Sequence, residues 1–132
     1  MKRFELIQPD ILKLYETVSH PINRYLCISH HKHVLEAMMK LSNNECLYLA
    51  AMLHDISTYL GIKGTHAHKS ASYAKEFLKK YQLFNDKELQ FIYDVIYYHS
   101  DKDKVHFHEA ELLKEADKNA HHLEDILSMY DN

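Results

Sequence analysis

The sequence predicts an all-α protein, a single helical bundle of six or seven helices, and three observations carry that expectation. Only two prolines and two glycines occur in 132 residues, so little interrupts regular structure. Apolar residues recur at helical spacing through most of the chain, and no run alternates as a half-buried strand would. The balance of 46% apolar and 27% charged residues is that of a folded chain with one core. No linker or repeat divides it, so residues 1–132 read as one domain.

Each element has its own signal. Pro9-Asp10 is expected to open a first helix running through Ile11, Leu12, Leu14, Tyr15 and Val18, with proline where its missing N–H does no harm. A second begins near Pro21 and carries Ile22, Leu26, Val34, Ala37, Met38 and Leu41. Ser42-Asn43-Asn44 closes it and caps a third, from Glu45 to about Asp55. Ser57 to Thr65, holding Gly61 and Gly64, reads as a long interruption, after which Thr65 caps a helix through Ala71, Ala74, Phe77, Leu78 and Tyr81. Asn85-Asp86 starts another, with Leu89, Ile92, Val95 and Ile96 facing inward. Asp101 to about His106 is a charged loop, and a last helix runs from about Phe107 or His108 to Met129, with Asn119 as the place where its pattern permits a break.

Several function classes recede at this level. The longest apolar run, Cys46 to Leu53, has eight residues, against roughly 20 for a bilayer span. The N-terminus has no apolar signal-peptide segment, which points to a cytoplasmic location and no membrane partner. A net charge of -3 gives no electrostatic reason to expect nucleic acid. Cys27 and Cys46 are too few for a disulfide framework or a cysteine zinc site, and both sit in apolar helical patterns as buried thiols.

The 12 histidines are the unusual feature, and their placement is informative. His30 precedes Val34, Ala37 and Leu41 by four, seven and eleven residues, so it extends an inward stripe. His54 follows Leu47, Ala50 and Ala51 by seven, four and three; His99 follows Ile92, Val95 and Ile96 by the same intervals. Asp117 follows Ala110 and Leu113 by seven and four. Taken singly, each is most simply a hydrogen-bonded core residue. Together, four buried polar groups on four helices would each need a separate partner, whereas one shared cation satisfies them all. Imidazoles with carboxylates and no cysteine suit Mn, Fe, Co, Ni or Zn, and a bundle core is a recurring place for such ions.

His30-x-x-His33-Val34, Leu49-Ala50-Ala51-Met52-Leu53-His54-Asp55-Ile56 and Glu115-Ala116-Asp117, in that order, resemble the HD-domain superfamily of metal-dependent phosphohydrolases over about residues 26–120. The resemblance implies His30, His54, Asp55 and Asp117 as metal ligands, Asp55 also orienting the nucleophile. His66-Ala67-His68-Lys69-Ser70-Ala71 and Tyr98-His99-Ser100 resemble elements of HD proteins with a second metal, such as small bacterial hydrolases that cleave dinucleoside tetraphosphates. This implies His66 and His99 as further ligands, with His68 the rival to His66, and hence one or two divalent transition metal ions. The implied activity is hydrolysis of a small phosphorylated substrate, a nucleotide above all. Lys63, in the glycine loop, and Lys118, beside Asp117, are candidate phosphate partners, each also readable as a solvated surface lysine. His106, His108, His121 and His122 read as surface residues or as partners behind the ligands.

The chain departs from the family pattern at His33, where an arginine is usual, and at Thr58, where one nucleotidase branch has an acidic residue. After Asp117 it has Lys118-Asn119-Ala120-His121-His122 in place of an apolar sequence. Two alternatives retain the metal: a nucleotide-binding or regulatory module without turnover, and a di-iron oxygenase of HD type.

Overall fold

The computed structural model describes residues 2–130, and among these there are helices and no strands. The helices are α1 (Lys2–Tyr15), α2 (Pro21–Leu41), α3 (Glu45–Leu53), the one-turn α4 (Ile56–Tyr59), α5 (His66–Lys79), α6 (Asp86–His99) and α7 (His108–Tyr130). They form an all-α bundle around a continuous core.

α3 organises that core. Every residue from Cys46 to Leu53 is buried, so the helix is apolar on all sides and must be covered on all sides. α1, α2, α5, α6 and α7 supply the cover, with α2 against α7 and α5 against α6 as the broadest pairings. Asn44 caps it, its side chain accepting from Cys46 N at 2.9 Å. The buried C-terminus of α3 therefore delivers residues 54 and 55 to the centre of the bundle.

α1 begins earlier than its proline suggests. Pro9 lies inside the helix, which starts at Lys2 and buries Phe4, Ile7, Ile11 and Tyr15 at intervals of three and four. Two tertiary contacts stabilise the first turn. Glu45 Oε1 accepts from Phe4 N at 3.0 Å, supplying an acceptor that the helix end lacks. The other oxygen of Glu45 holds Arg3 Nε at 2.8 Å, while Arg3 Nη2 reaches Glu88 on α6 at 2.8 Å.

The segment read as a long interruption is partly ordered. Residues 56–59 form α4, fastened to α5 through Ser57 N on Ser70 Oγ at 3.1 Å and Ser57 Oγ on the His66 carbonyl at 3.1 Å. Thr65 occupies the position before α5 without making a side-chain cap, whereas Asn85 and Glu88 form a reciprocal capping box on α6. Gly64 adopts φ +122, a left-handed backbone, and a Cβ there would stand 2.7 Å from Lys69 Cε. α7 runs unbroken through Asn119. Among the described residues no helix is long and apolar enough to cross a membrane.

The role of Glu45 is directly measurable. Glu45→Ala removes both the α1 cap and one arm of the Arg3 bridge, so a loss of about 1–2 kcal/mol is expected in chemical denaturation, with metal affinity unchanged. An unaltered denaturation midpoint would show that Glu45 does not hold α1 in place.

Candidate metal centre

Four helices converge on one polar cluster in the core. His30 comes from the middle of α2, His54 from the C-terminus of α3, His99 from the end of α6 and Asp117 from the middle of α7, and all four are buried. Asp55 stands at the α3–α4 break, in the position before α4, but makes no capping hydrogen bond there. Its carboxylate is left to face the imidazoles, with the side chain 31% exposed at the mouth of the cluster.

The imidazoles are locked by their rear nitrogens. His54 Nδ1 donates to the Ala51 carbonyl at 2.7 Å, and His99 Nδ1 donates to the Ile96 carbonyl. Both carbonyls lie three residues back at a helix end, where the backbone leaves acceptors without a helical partner. A carbonyl only accepts, so in both rings Nδ1 carries the proton and Nε2 points forward. His30 Nδ1 is held from behind by Glu124 Oε1 at 2.9 Å.

The forward nitrogens meet two carboxylates. Asp117 Oδ1 lies 3.2 Å from His30 Nε2 and 3.6 Å from His54 Nε2. Asp55 Oδ2 lies 3.3 Å from His54 Nε2 and 3.6 Å from His30 Nε2, and Asp55 Oδ1 lies 3.7 Å from His99 Nε2. These approaches are close enough for charge to matter and too poorly aligned for hydrogen bonds: His30 Nε2, His54 Nε2 and Asp117 Oδ1 are buried without a hydrogen-bond partner. Neutral imidazole nitrogens facing carboxylate oxygens are lone pair against lone pair, which is unfavourable unless a proton or a cation lies between them.

That requirement appears in the acid–base behaviour. Burial opposes charge on both rings, yet the carboxylates of Asp117, Asp55 and Glu124 hold His30 up at about 10. Asp55 and Asp117 overcome the same burial to hold His54 at about 9. In return, and again against their own burial, both aspartates are held well below the usual carboxylate range. The donor set fits a divalent transition metal: imidazoles of fixed tautomer, two ionised carboxylates and orphaned buried donor atoms. Among the described residues, ligand atoms lie within 4.8 Å of one another in three overlapping groups: His30, His54 and Asp55; His54, His99 and Asp117; and His30, Asp117 and His121. Burial pushes Cys27 up to about 12 and Cys46 to about 11, so neither offers a thiolate at neutral pH.

The other residues singled out from the sequence lie around this cluster. His66 is exposed, its Nδ1 paired with Thr58 Oγ1 at 3.2 Å, and it belongs to none of the three groups. His68, also exposed, pairs through Nδ1 with Tyr93 Oη at 2.7 Å. Lys63 is exposed in the glycine loop. Lys118 lines an open cleft of about 660 Å³ beside the cluster, together with Lys102, Asp117 and His121.

Three neighbours, His31, Lys102 and Glu124, escaped the sequence reading, which placed a fourth, His121, only on the surface or behind the ligands. His31 is wholly buried behind the site, stacked on Tyr15 at 5.1 Å and edge-on to His54 at 5.1 Å. Burial, then the charge of His54, push His31 down to about 3, so it stays neutral. Its signal was present, since Cys27, Val34 and Leu35 stand four before, three after and four after it. Lys102 Nζ approaches Asp117 Oδ2 at 3.7 Å from a loop that sequence periodicity does not place. His121 and Glu124 follow Asp117 by four and seven residues, the same spacing that singled out the ligands, but in the direction away from the apolar residues.

The helical bundle gathers histidines and aspartates from separate helices into groups that could hold a metal ion. A family model described as HD domain matches residues 17–120, and the chain belongs to that family, whose members are largely metal-dependent hydrolases. An uncharacterized protein of Clostridium beijerinckii is 36% identical over 78 residues, 58% of this chain and 48% of that protein. The match thus spans about half the length of that relative. No solved structure matches.

The cluster dictates how stability depends on pH in metal-free protein. His30 and His54 are raised above an unfolded value near 6.5, so their contribution is full below that pH and is lost as pH rises through about 9–10. His31 is lowered, so its contribution is present above 6.5 and is lost as pH falls toward 3. The two aspartates are lowered too, and their share goes only at still lower pH. The thermal midpoint in chelator is therefore expected to peak at about pH 6–7. The increment from added metal is expected to grow from about pH 6 to 9 as bound ions replace protons. A chelated midpoint that still climbs between about pH 7 and 9 contradicts this account of the cluster.

Proposed function

We propose that this protein is a metal-dependent phosphohydrolase acting on a small phosphorylated substrate, a nucleotide or related phosphoester or phosphoanhydride. The observation that carries the reading is the confrontation of locked imidazole Nε2 atoms with two carboxylates in the bundle core. Membership of the HD domain family supports it.

In this reading His30, His54, Asp55, His99 and Asp117 hold one or two divalent ions, of Mn, Fe, Co, Ni or Zn. Such an ion, once bound, acidifies a water and neutralises charge on phosphoryl oxygens. The chain's own residues do the rest. Backbone carbonyls and Glu124 hold these three rings in place, so the imidazoles are preorganised for the reaction. Asp55, the more exposed carboxylate, orients the attacking water by accepting a hydrogen bond from it. Lys118 and Lys102, on the cleft beside Asp117, meet the substrate phosphates, and Lys63 does so from the glycine loop. His66, paired with Thr58, is assigned to the substrate or a second ion.

The test is turnover of a nucleotide panel with Mn or Co added to protein purified without chelators. Metal-stimulated release of phosphate or nucleotide is expected, and the double variant His54→Ala, Asp55→Asn should lose both bound metal and turnover. Metal analysis that finds no transition metal in the wild-type chain, even after titration, would sink the reading. Nucleotide binding without turnover under any of the five metals would turn it toward a binding module.

A further inference from the structure

The HD signature does not account for the far end of the cluster on α7. Asp117, His121 and Glu124 occupy one face of that helix at intervals of four and three. His121 Nε2 stands 3.4 Å from Asp117 Oδ1, the same orphaned oxygen that His30 Nε2 approaches at 3.2 Å. The His121 and His30 rings lie 4.8 Å apart, and the three donor atoms fall within 4.8 Å of one another. Behind both rings stands one carboxylate: Glu124 Oε1 is 2.9 Å from His30 Nδ1 and 4.0 Å from His121 Nδ1. Its other oxygen is 3.7 Å from His33 Nδ1, at the position where this chain departs from the usual arginine.

We infer that His121 is a further metal ligand, giving Nε2 to the ion held by His30 and Asp117, and that Glu124 is the positioning residue that aims both imidazoles. Two buried atoms without partners, His30 Nε2 and Asp117 Oδ1, face the place where His121 Nε2 arrives. His121 is 63% exposed and lines the open cleft, unlike the other ring ligands. A ligand at the mouth is the ring nearest to whatever enters the cleft. The inference rests on the metal-centre reading and adds to it a ligand from outside the family motif.

The experiment is titration of the chelator-stripped, full chain with Co(II), read by visible absorption and calorimetry, for wild type, His121→Ala, His122→Ala, Glu124→Gln and His54→Ala. His121→Ala is expected to weaken Co(II) binding at least tenfold and to change the absorption envelope, because a nitrogen donor is lost; free imidazole should restore the envelope. Glu124→Gln should weaken binding by about 10–100-fold while leaving the envelope close to wild type, as loss of an orienting partner does. His122→Ala, next door and also exposed, should do neither. Both exposed-site variants should keep the wild-type melting point in chelator, which separates ligand loss from unfolding. Wild-type affinity and spectrum in His121→Ala overturn the inference while His54→Ala still loses metal. Failure of the wild type to bind Co(II) overturns the metal centre itself, and this inference with it.

Discussion

The site depends on one constraint: imidazole rings whose rear nitrogens are committed to fixed acceptors, so that their front nitrogens have nowhere to turn. His54 and His99 each sit at a helix C-terminus and donate to the carbonyl three residues back. The helix end gains a partner for an otherwise unpaired carbonyl, and the ring loses its freedom to present the other tautomer. His30, in mid-helix where no such carbonyl is free, uses Glu124 instead. Three rings on three helices thereby direct Nε2 at Asp55 and Asp117. The same step that satisfies the fold creates a cluster that is incomplete without positive charge.

The fold supports that cluster at a cost in stability. A helix apolar on every face, α3, is a strong organising element, and it ends in two titratable residues, His54 fully buried and Asp55 partly open. Placing His54 there, fully buried, is costly unless its charge is met or a cation takes its lone pair. In the absence of metal, protons fill the gap and raise His30 and His54 far above their ordinary values. His31, one residue from His30 and against His54, is driven the opposite way because burial and a neighbouring charge both disfavour its protonation. Adjacent histidines on one helix thus have opposite charge states. One faces carboxylates and the other faces Tyr15 and a backbone carbonyl.

Polarity is graded outward from this point. Asp117 is nearly covered, Asp55 is partly open, and Lys102, Lys118 and His121 line the cleft outside. Outside the buried centre the cleft carries both signs of charge, Lys102, Lys114 and Lys118 standing beside Glu111, Glu115 and Asp125. The HD domain match gives the family, whose members are largely metal-dependent hydrolases.

Much of this was readable from residue order, and the limits have physical causes. Helical periodicity placed His30, His54, His99 and Asp117 inward because burial of a helix face is a local property, set by spacing along one element. The same logic located α2, α3, α6 and the loop after it to within a few residues. It mistook Pro9 for a start because the acceptor that sustains the turns before it belongs to Glu45, on another helix. It read residues 57–65 as a plain interruption because the hydroxyl contacts that order α4 come from Ser70. Which histidines meet is likewise a matter of tertiary structure. The resemblance made His66 a ligand and left His121 on the surface or behind the ligands, yet His66 pairs with Thr58 while His121 reaches Asp117 and His30. Spacing along a helix fixes the direction of a side chain from its own axis; only the packing of α2 against α7 decides what stands opposite.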